Sequence, residues 1–120
     1  MTRVIICDDH ALIRRGIRDT LSDAEDIEVV GLAKNGAEAL EKAAALKPDI
    51  VLMDVHMPVM DGLAVLKFIR EKKLTPRLIM LTGDGDPRMI SECAKYGATD
   101  YLTKPYNYHE LIEAIDRALS

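Results

Sequence analysis

Cysteine is scarce. The 120 residues contain two, and no charged, apolar, small-residue signal segment opens the chain, so a reduced, cytoplasmic setting is expected. Cys7 ends an apolar run and Cys93 lies at helical spacing from Ile90; both read as packed core thiols, because their spacing suits no metal site. No apolar stretch approaches the about 18 residues that would suggest a membrane span. A basic excess is missing too: 16 Lys and Arg stand against 20 Asp and Glu, for a net charge of −4. That balance supplies no sustained positive field for a phosphate backbone, and direct nucleic-acid binding by this chain is not expected. Repeats, linkers and low-complexity tracts are also absent. What remains is an ordinary globular composition, 48% hydrophobic and 30% charged, in a length close to the commonest domain size. One domain over residues 1–120 is expected.

Apolar runs of strand length alternate with segments of helical period, the pattern of a parallel sheet with crossover helices. The strand candidates are Arg3–Cys7, Ile27–Ala33, Ile50–Met53, Arg77–Leu81 and Asp100–Thr103. Continuous apolar runs read as central strands covered on both faces, whereas the alternating Glu28-Val29-Val30-Gly31-Leu32 reads as peripheral. Helical core faces are expected from Ile13, Ile17 and Leu21; from Leu40, Ala43 and Ala44; from Leu66 and Ile69; from Ile90 and Ala94; and from Leu111, Ile115 and Leu119. Asp61-Gly62, Asp86-Pro87 and Asn107 carry helix-start chemistry. The expected fold is α/β, a five-stranded parallel sheet with helices on both faces. Doubly wound, flavodoxin-like sheets of order 2-1-3-4-5 bind ligands outside the carboxyl ends of the strands, at the switch point between strands one and three.

The reactive side chains fall on that edge. Asp8 and Asp9 follow strand one, Asp54 follows strand three, Thr82 strand four and Lys104 strand five. Singly, each has a plainer role: Asp9 as a helix cap, Asp54 as a turn residue, Thr82 as a cap, Lys104 as a solvated charge. Jointly they make a chemical site. Three carboxylates held close repel one another, and a hard divalent cation compensates; Mg²⁺ keeps several waters and leaves room for phosphate oxygens. A carboxylate can accept a phosphoryl group as nucleophile, with Lys104 and Thr82 supplying charge and a hydroxyl to the transferred group.

The segments Ile5-Ile6-Cys7-Asp8-Asp9-His10, Leu52-Met53-Asp54-Val55-His56-Met57-Pro58-Val59-Met60-Asp61-Gly62, Leu81-Thr82-Gly83 and Tyr101-Leu102-Thr103-Lys104-Pro105 occur in that order. Together they resemble the receiver domain of bacterial two-component response regulators, over essentially the whole chain. The resemblance implies that Asp54 accepts the phosphoryl group and that Asp9 binds Mg²⁺ directly. It further implies that Asp8 acts through water and that the His56 backbone carbonyl completes the protein ligands. Thr82 and Lys104 would contact the phosphoryl oxygens, Tyr101 would be the switch aromatic that turns inward with Thr82, and the Lys104–Pro105 bond would be cis. His56 and Asp84 correspond to variable positions bordering the phosphoryl group. Gly83 leaves space for an entering donor. The Asp-Asp-His opening and Arg14-Arg15-Gly16 are similar to receivers joined to a C-terminal helix-turn-helix domain.

The implied function is a phospho-accepting switch, not an enzyme, fed by a phosphohistidine on a sensor histidine kinase or phosphotransfer protein. A Mg²⁺-dependent phosphohydrolase with an Asp nucleophile would need a cap that the short loops do not supply. Output is expected through the face formed by residues 87–119, bearing Tyr106 and Tyr108, toward an output domain or partner protein; phosphorylation-dependent homodimerisation stays open.

Overall fold

The computed structural model describes residues 1–55, 62–74, 76–83 and 87–119. Strands β1 (Thr2–Cys7), β2 (Ile27–Ala33), β3 (Ile50–Asp54), β4 (Arg77–Thr82) and β5 (Asp100–Thr103) alternate with helices α1 (Ala11–Ser22), α2 (Gly36–Leu46), α3 (Gly62–Glu71), α4 (Pro87–Lys95) and α5 (Tyr108–Leu119). All strand pairs are parallel, in the order β2-β1-β3-β4-β5, as the alternation requires.

Successive strand residues point to opposite sides of the pleat, and both sides are covered. On one, Ile5, Cys7, Val51, Met53, Leu78 and Met80 pack against Ala39 of α2, Val65, Leu66 and Ile69 of α3, and Cys93 of α4. On the other, Val4, Ile6, Ile50, Leu52, Ile79 and Leu81 meet Ile17 and Leu21 of α1 and Leu111, Ala114 and Ile115 of α5. Each fully buried Leu, Ile or Met contributes about 1.5–3 kcal/mol, so β1, β3 and β4, apolar on both faces, form the rigid centre. β2 is an edge strand with mostly half-buried residues, as its alternation implies. Two helix starts are capped by asparagine. Asn35 accepts from the Glu38 N–H at 2.9 Å, and Asn107 accepts from the Glu110 N–H at 2.8 Å while Glu110 accepts from the Asn107 N–H at 3.3 Å. Each such cap stabilises its helix by about 1 kcal/mol.

Five expected core positions are displaced. α4 turns Met89 and Cys93, an i,i+4 pair, toward the sheet, which leaves Ile90 half-buried and Ala94 exposed. In α2 the buried pair is Ala39 and Ala43, and Ala44 faces out. Ile13, one turn nearer the strand ends than Ile17, lines a surface groove instead of the core, and Leu119 on the last turn is exposed. Spacing defines a stripe on a helix; the neighbouring layer selects which edge of the stripe is covered.

Two strand ends also run one residue further than the apolar runs suggest. Asp54 registers with Leu81 and Thr82 with Thr103, because the ladder continues through Val55 N–H to the Leu81 carbonyl at 2.9 Å and Lys104 N–H to the Thr82 carbonyl at 2.7 Å. Asp54 and Thr82 are therefore held by the sheet. Among the described residues, no helix is long and apolar enough to cross a membrane.

Candidate functional site

Asp8 leaves β1 with its N–H bonded to the Ala33 carbonyl at 3.1 Å, and its side chain is fully buried. Its Oδ1 accepts from the His10 N–H at 2.9 Å, and its backbone carbonyl accepts from Arg14 Nη1 at 2.6 Å. Asp54, the last residue of β3, is 3% exposed, and Thr82, the last of β4, is 2% exposed. Lys104 follows β5 and extends its ammonium between two carboxylates, 3.5 Å from Asp8 Oδ2 and 3.6 Å from Asp54 Oδ1. The Lys104–Pro105 bond is cis, as the resemblance implies. Asp8, Asp9, Asp54, Thr82 and Lys104 are thus gathered at the carboxyl edge of the sheet. His56, Asp61, Asp84 and Asp86 lie outside the described residues.

One ligand atom each from Asp8, Asp9, His10 and Asp54 lies within 4.8 Å of the others. Lys104 cannot balance three carboxylates alone. Among the described residues Asp9 Oδ1 is buried with no hydrogen-bond partner, although His10 Nδ1 stands 3.0 Å away. A buried, unbonded carboxylate oxygen beside two further acids is the donor set that a hard divalent cation satisfies, so these residues fit Mg²⁺. The negative potential reaches neighbouring groups. Burial first, then the charges of Asp8 and Asp54, pushes the Tyr106 hydroxyl up to about 12; burial and the same two acids push the Cys7 thiol up to about 12. Cys7 is accordingly a packing residue without thiolate character.

Gly62 sets how closely α3 starts against β3. Its N–H donates to the Val55 carbonyl at 2.9 Å, and a Cβ there would come 2.6 Å from the Asp54 carbonyl oxygen. Next to Thr82, a Cβ on Gly83 would meet nothing within 4 Å among the described residues. Tyr101 is 45% exposed and borders a groove of about 160 Å³ with Ile90, Cys93, Ala94 and Ala98. Tyr106 departs from the expected output face: it is half-buried and, with Tyr108, shares a groove with Ile13, Gly16 and Ile17 of α1. A larger cavity of about 540 Å³, lined by Lys47, Pro48, Asp49, Leu74, Pro76 and Arg77, lies at the opposite edge of the sheet and away from the acids. Sequence reasoning missed the His10 ring, the Arg14 clamp on Asp8 and the inward set of Tyr106. The signal for His10, its place directly after the acid pair, was visible; that its ring folds back over the acids depends on the turn leaving β1.

A family model described as the response regulator receiver domain matches residues 4–116. A protein-glutamate methylesterase/protein-glutamine glutaminase of Methanococcoides burtonii is 45% identical over 113 residues, 92% of this chain but 32% of that protein. The chain thus spans about a third of that relative's length. Chemotaxis protein CheY of Bacillus subtilis is 39% identical over 118 residues, covering 98% of both chains. Among solved structures, the signal receiver domain of the response regulator NarL from Mycobacterium tuberculosis superposes with a TM-score of 0.93 at 35% identity, over 99% of this chain and 97% of that one.

Proposed function

This chain belongs to the response regulator receiver domain family, a phospho-accepting switch of two-component signalling, and from that membership we propose that Asp54 is the residue that takes the phosphoryl group. The observation that carries the assignment is the ammonium of Lys104 shared between the buried carboxylates of Asp54 and Asp8, at 3.6 and 3.5 Å. A nucleophilic carboxylate must stay ionised although burial and a neighbouring acid oppose it, and a cation in contact offsets both. An Asp54 oxygen attacks phosphorus as the donor's N–P bond breaks; the electron pair returns to the donor imidazole nitrogen, and a new O–P bond forms. Lys104 then faces a phosphoryl oxygen, and the Thr82 hydroxyl serves a second one. Asp9 and Asp54, with the His56 carbonyl, would hold Mg²⁺, and Asp8 would act through water; the ion supplies neutralisation of charge on the transferred oxygens. The test is labelling by a small phosphodonor with Mg²⁺, read by intact mass. One alkali-labile phosphoryl group is expected on the wild type and none on Asp54→Asn; equal labelling of the variant overturns the assignment.

The donor is proposed to be a phosphohistidine on a sensor histidine kinase or phosphotransfer protein, in the cytoplasm. End-to-end correspondence with CheY supports residues 1–120 acting as one receiver unit. The methylesterase relative carries its name over a chain about three times as long, so a receiver like this one can also sit within a larger protein, where a partner or output domain reads the switch through the face of residues 87–119. Phosphorylation-dependent homodimerisation through that face is part of the same proposal.

A further inference from the structure

His10 belongs to the acid cluster by position, yet phosphoryl acceptance assigns it no task. It is the N-cap residue of α1, with extended backbone at φ −96 and ψ 111, and its side chain makes no cap hydrogen bond. Instead, its N–H donates to Asp8 Oδ1 at 2.9 Å, and this short turn carries the ring back over the acids. Nδ1 makes a hydrogen bond with Asp8 Oδ1 at 3.1 Å and stands 3.0 Å from Asp9 Oδ1, the buried oxygen that has no hydrogen-bond partner among the described residues. Ligands about 2.1 Å from an octahedral cation stand about 3.0 Å apart at adjacent corners. The separation of Nδ1 from Asp9 Oδ1 matches that edge. With 62% of its side chain exposed, the ring is reachable by an ion arriving from solvent.

We propose that His10 is a protein ligand of the divalent cation held here, through Nδ1, and that it biases the site from Mg²⁺ toward ions that accept imidazole, Mn²⁺ and Co²⁺. The inference rests on the reading of Asp9 and Asp54 as cation ligands and adds a nitrogen donor to it. Mg²⁺ prefers oxygen and gives up its waters reluctantly, whereas imidazole suits the later first-row ions, whose affinities rise along the series from Mn²⁺. An all-oxygen site would discriminate less between Mg²⁺ and Co²⁺ than a site with one imidazole.

The experiment is calorimetric titration of the unphosphorylated chain at pH 8 with Mg²⁺, Mn²⁺ and Co²⁺, for the wild type, His10→Ala and His10→Gln, with Mn²⁺ broadening of the His10 ring protons as a second readout. His10→Ala is expected to lower Mn²⁺ and Co²⁺ affinity about tenfold or more, on the scale at which loss of a site-orienting group registers, while Mg²⁺ affinity changes much less; His10→Gln should behave likewise. Unchanged affinity ratios in both variants, or a parallel fall for all three ions, overturn the ligand role of His10 while leaving the cation site in place. Failure of the wild type to bind any of the ions overturns the cation site, and His10 with it.

Discussion

The backbone N–H of Lys104 donates to the carbonyl of Thr82 at 2.7 Å, so the residue that presents the cation and the residue that presents the hydroxyl are joined across β4 and β5. A phosphoryl group on Asp54 adds charge and acceptor oxygens within reach of both, and differential contacts of this kind bias a two-state element. Thr82→Ala should still accept phosphate and respond weakly. Amide exchange and sedimentation, with and without a beryllium fluoride mimic, check this. Protection changes spreading through residues 87–108, with altered association, are expected in the wild type; changes confined to the neighbourhood of Asp54 would exclude this output route.

Asp9 should behave differently from an ordinary buried acid. Its Oδ1 has no hydrogen-bond partner among the described residues and sits among like charges, so Asp9→Ala is expected to raise the melting temperature in the absence of divalent ions. Mg²⁺ should then add little, because a ligand stabilises a fold only to the extent that the native state binds it. Melts of both proteins across a Mg²⁺ series test this; equal gains in the two would remove Asp9 from the ligand set.

Two glycines should respond with opposite sign. A Cβ at position 62 meets the Asp54 carbonyl oxygen at 2.6 Å and Val55 Cα at 2.9 Å, both backbone, whereas at position 16, within α1, it meets nothing within 4 Å among the described residues. Gly62→Ala should cost about 1–3 kcal/mol or more and slow phosphorylation by shifting Asp54. Gly16→Ala should gain about 0.5–1 kcal/mol from helix propensity alone. Urea unfolding of both variants, with unchanged slope, is the measurement.

Alkaline stability carries the signature of burial first and of the acid cluster second. Tyr106 is raised from 10.0 to about 12 and Cys7 from 9.0 to about 12. The folded chain keeps protons that the unfolded chain releases, so this stability is fully present below about pH 9 and is lost as pH climbs toward 12. Tyr106→Phe should flatten the decline between pH 10 and 12. Asp54→Asn should move the Tyr106 titration, followed by phenolate absorbance, back toward its ordinary value; an unmoved titration would show that the Asp54 charge does not reach it.

Periodicity and strand-end chemistry determined much of this protein from sequence alone. Five apolar runs alternating with helical segments imply a parallel sheet, because each run can bury both faces only beneath crossover helices, and Asp8, Asp54, Thr82 and Lys104 then share one edge whatever the details of packing. What the linear pattern could not supply was rotation and reach. Met89 and Cys93, rather than Ile90 and Ala94, cover the sheet because the strands beneath α4 select the face, and an i,i+4 stripe fits either choice. Tyr106 turns toward Ile13 and Ile17 because the chain entering α5 runs beside α1, a neighbour distant in sequence. Lys104 meets Asp8 across 96 positions, and the His10 ring lies over the acids because an Asp8 oxygen accepts its N–H. Apart from the His10 turn, which is local, each of these contacts depends on the relative placement of elements distant in sequence, and only the folded sheet establishes it.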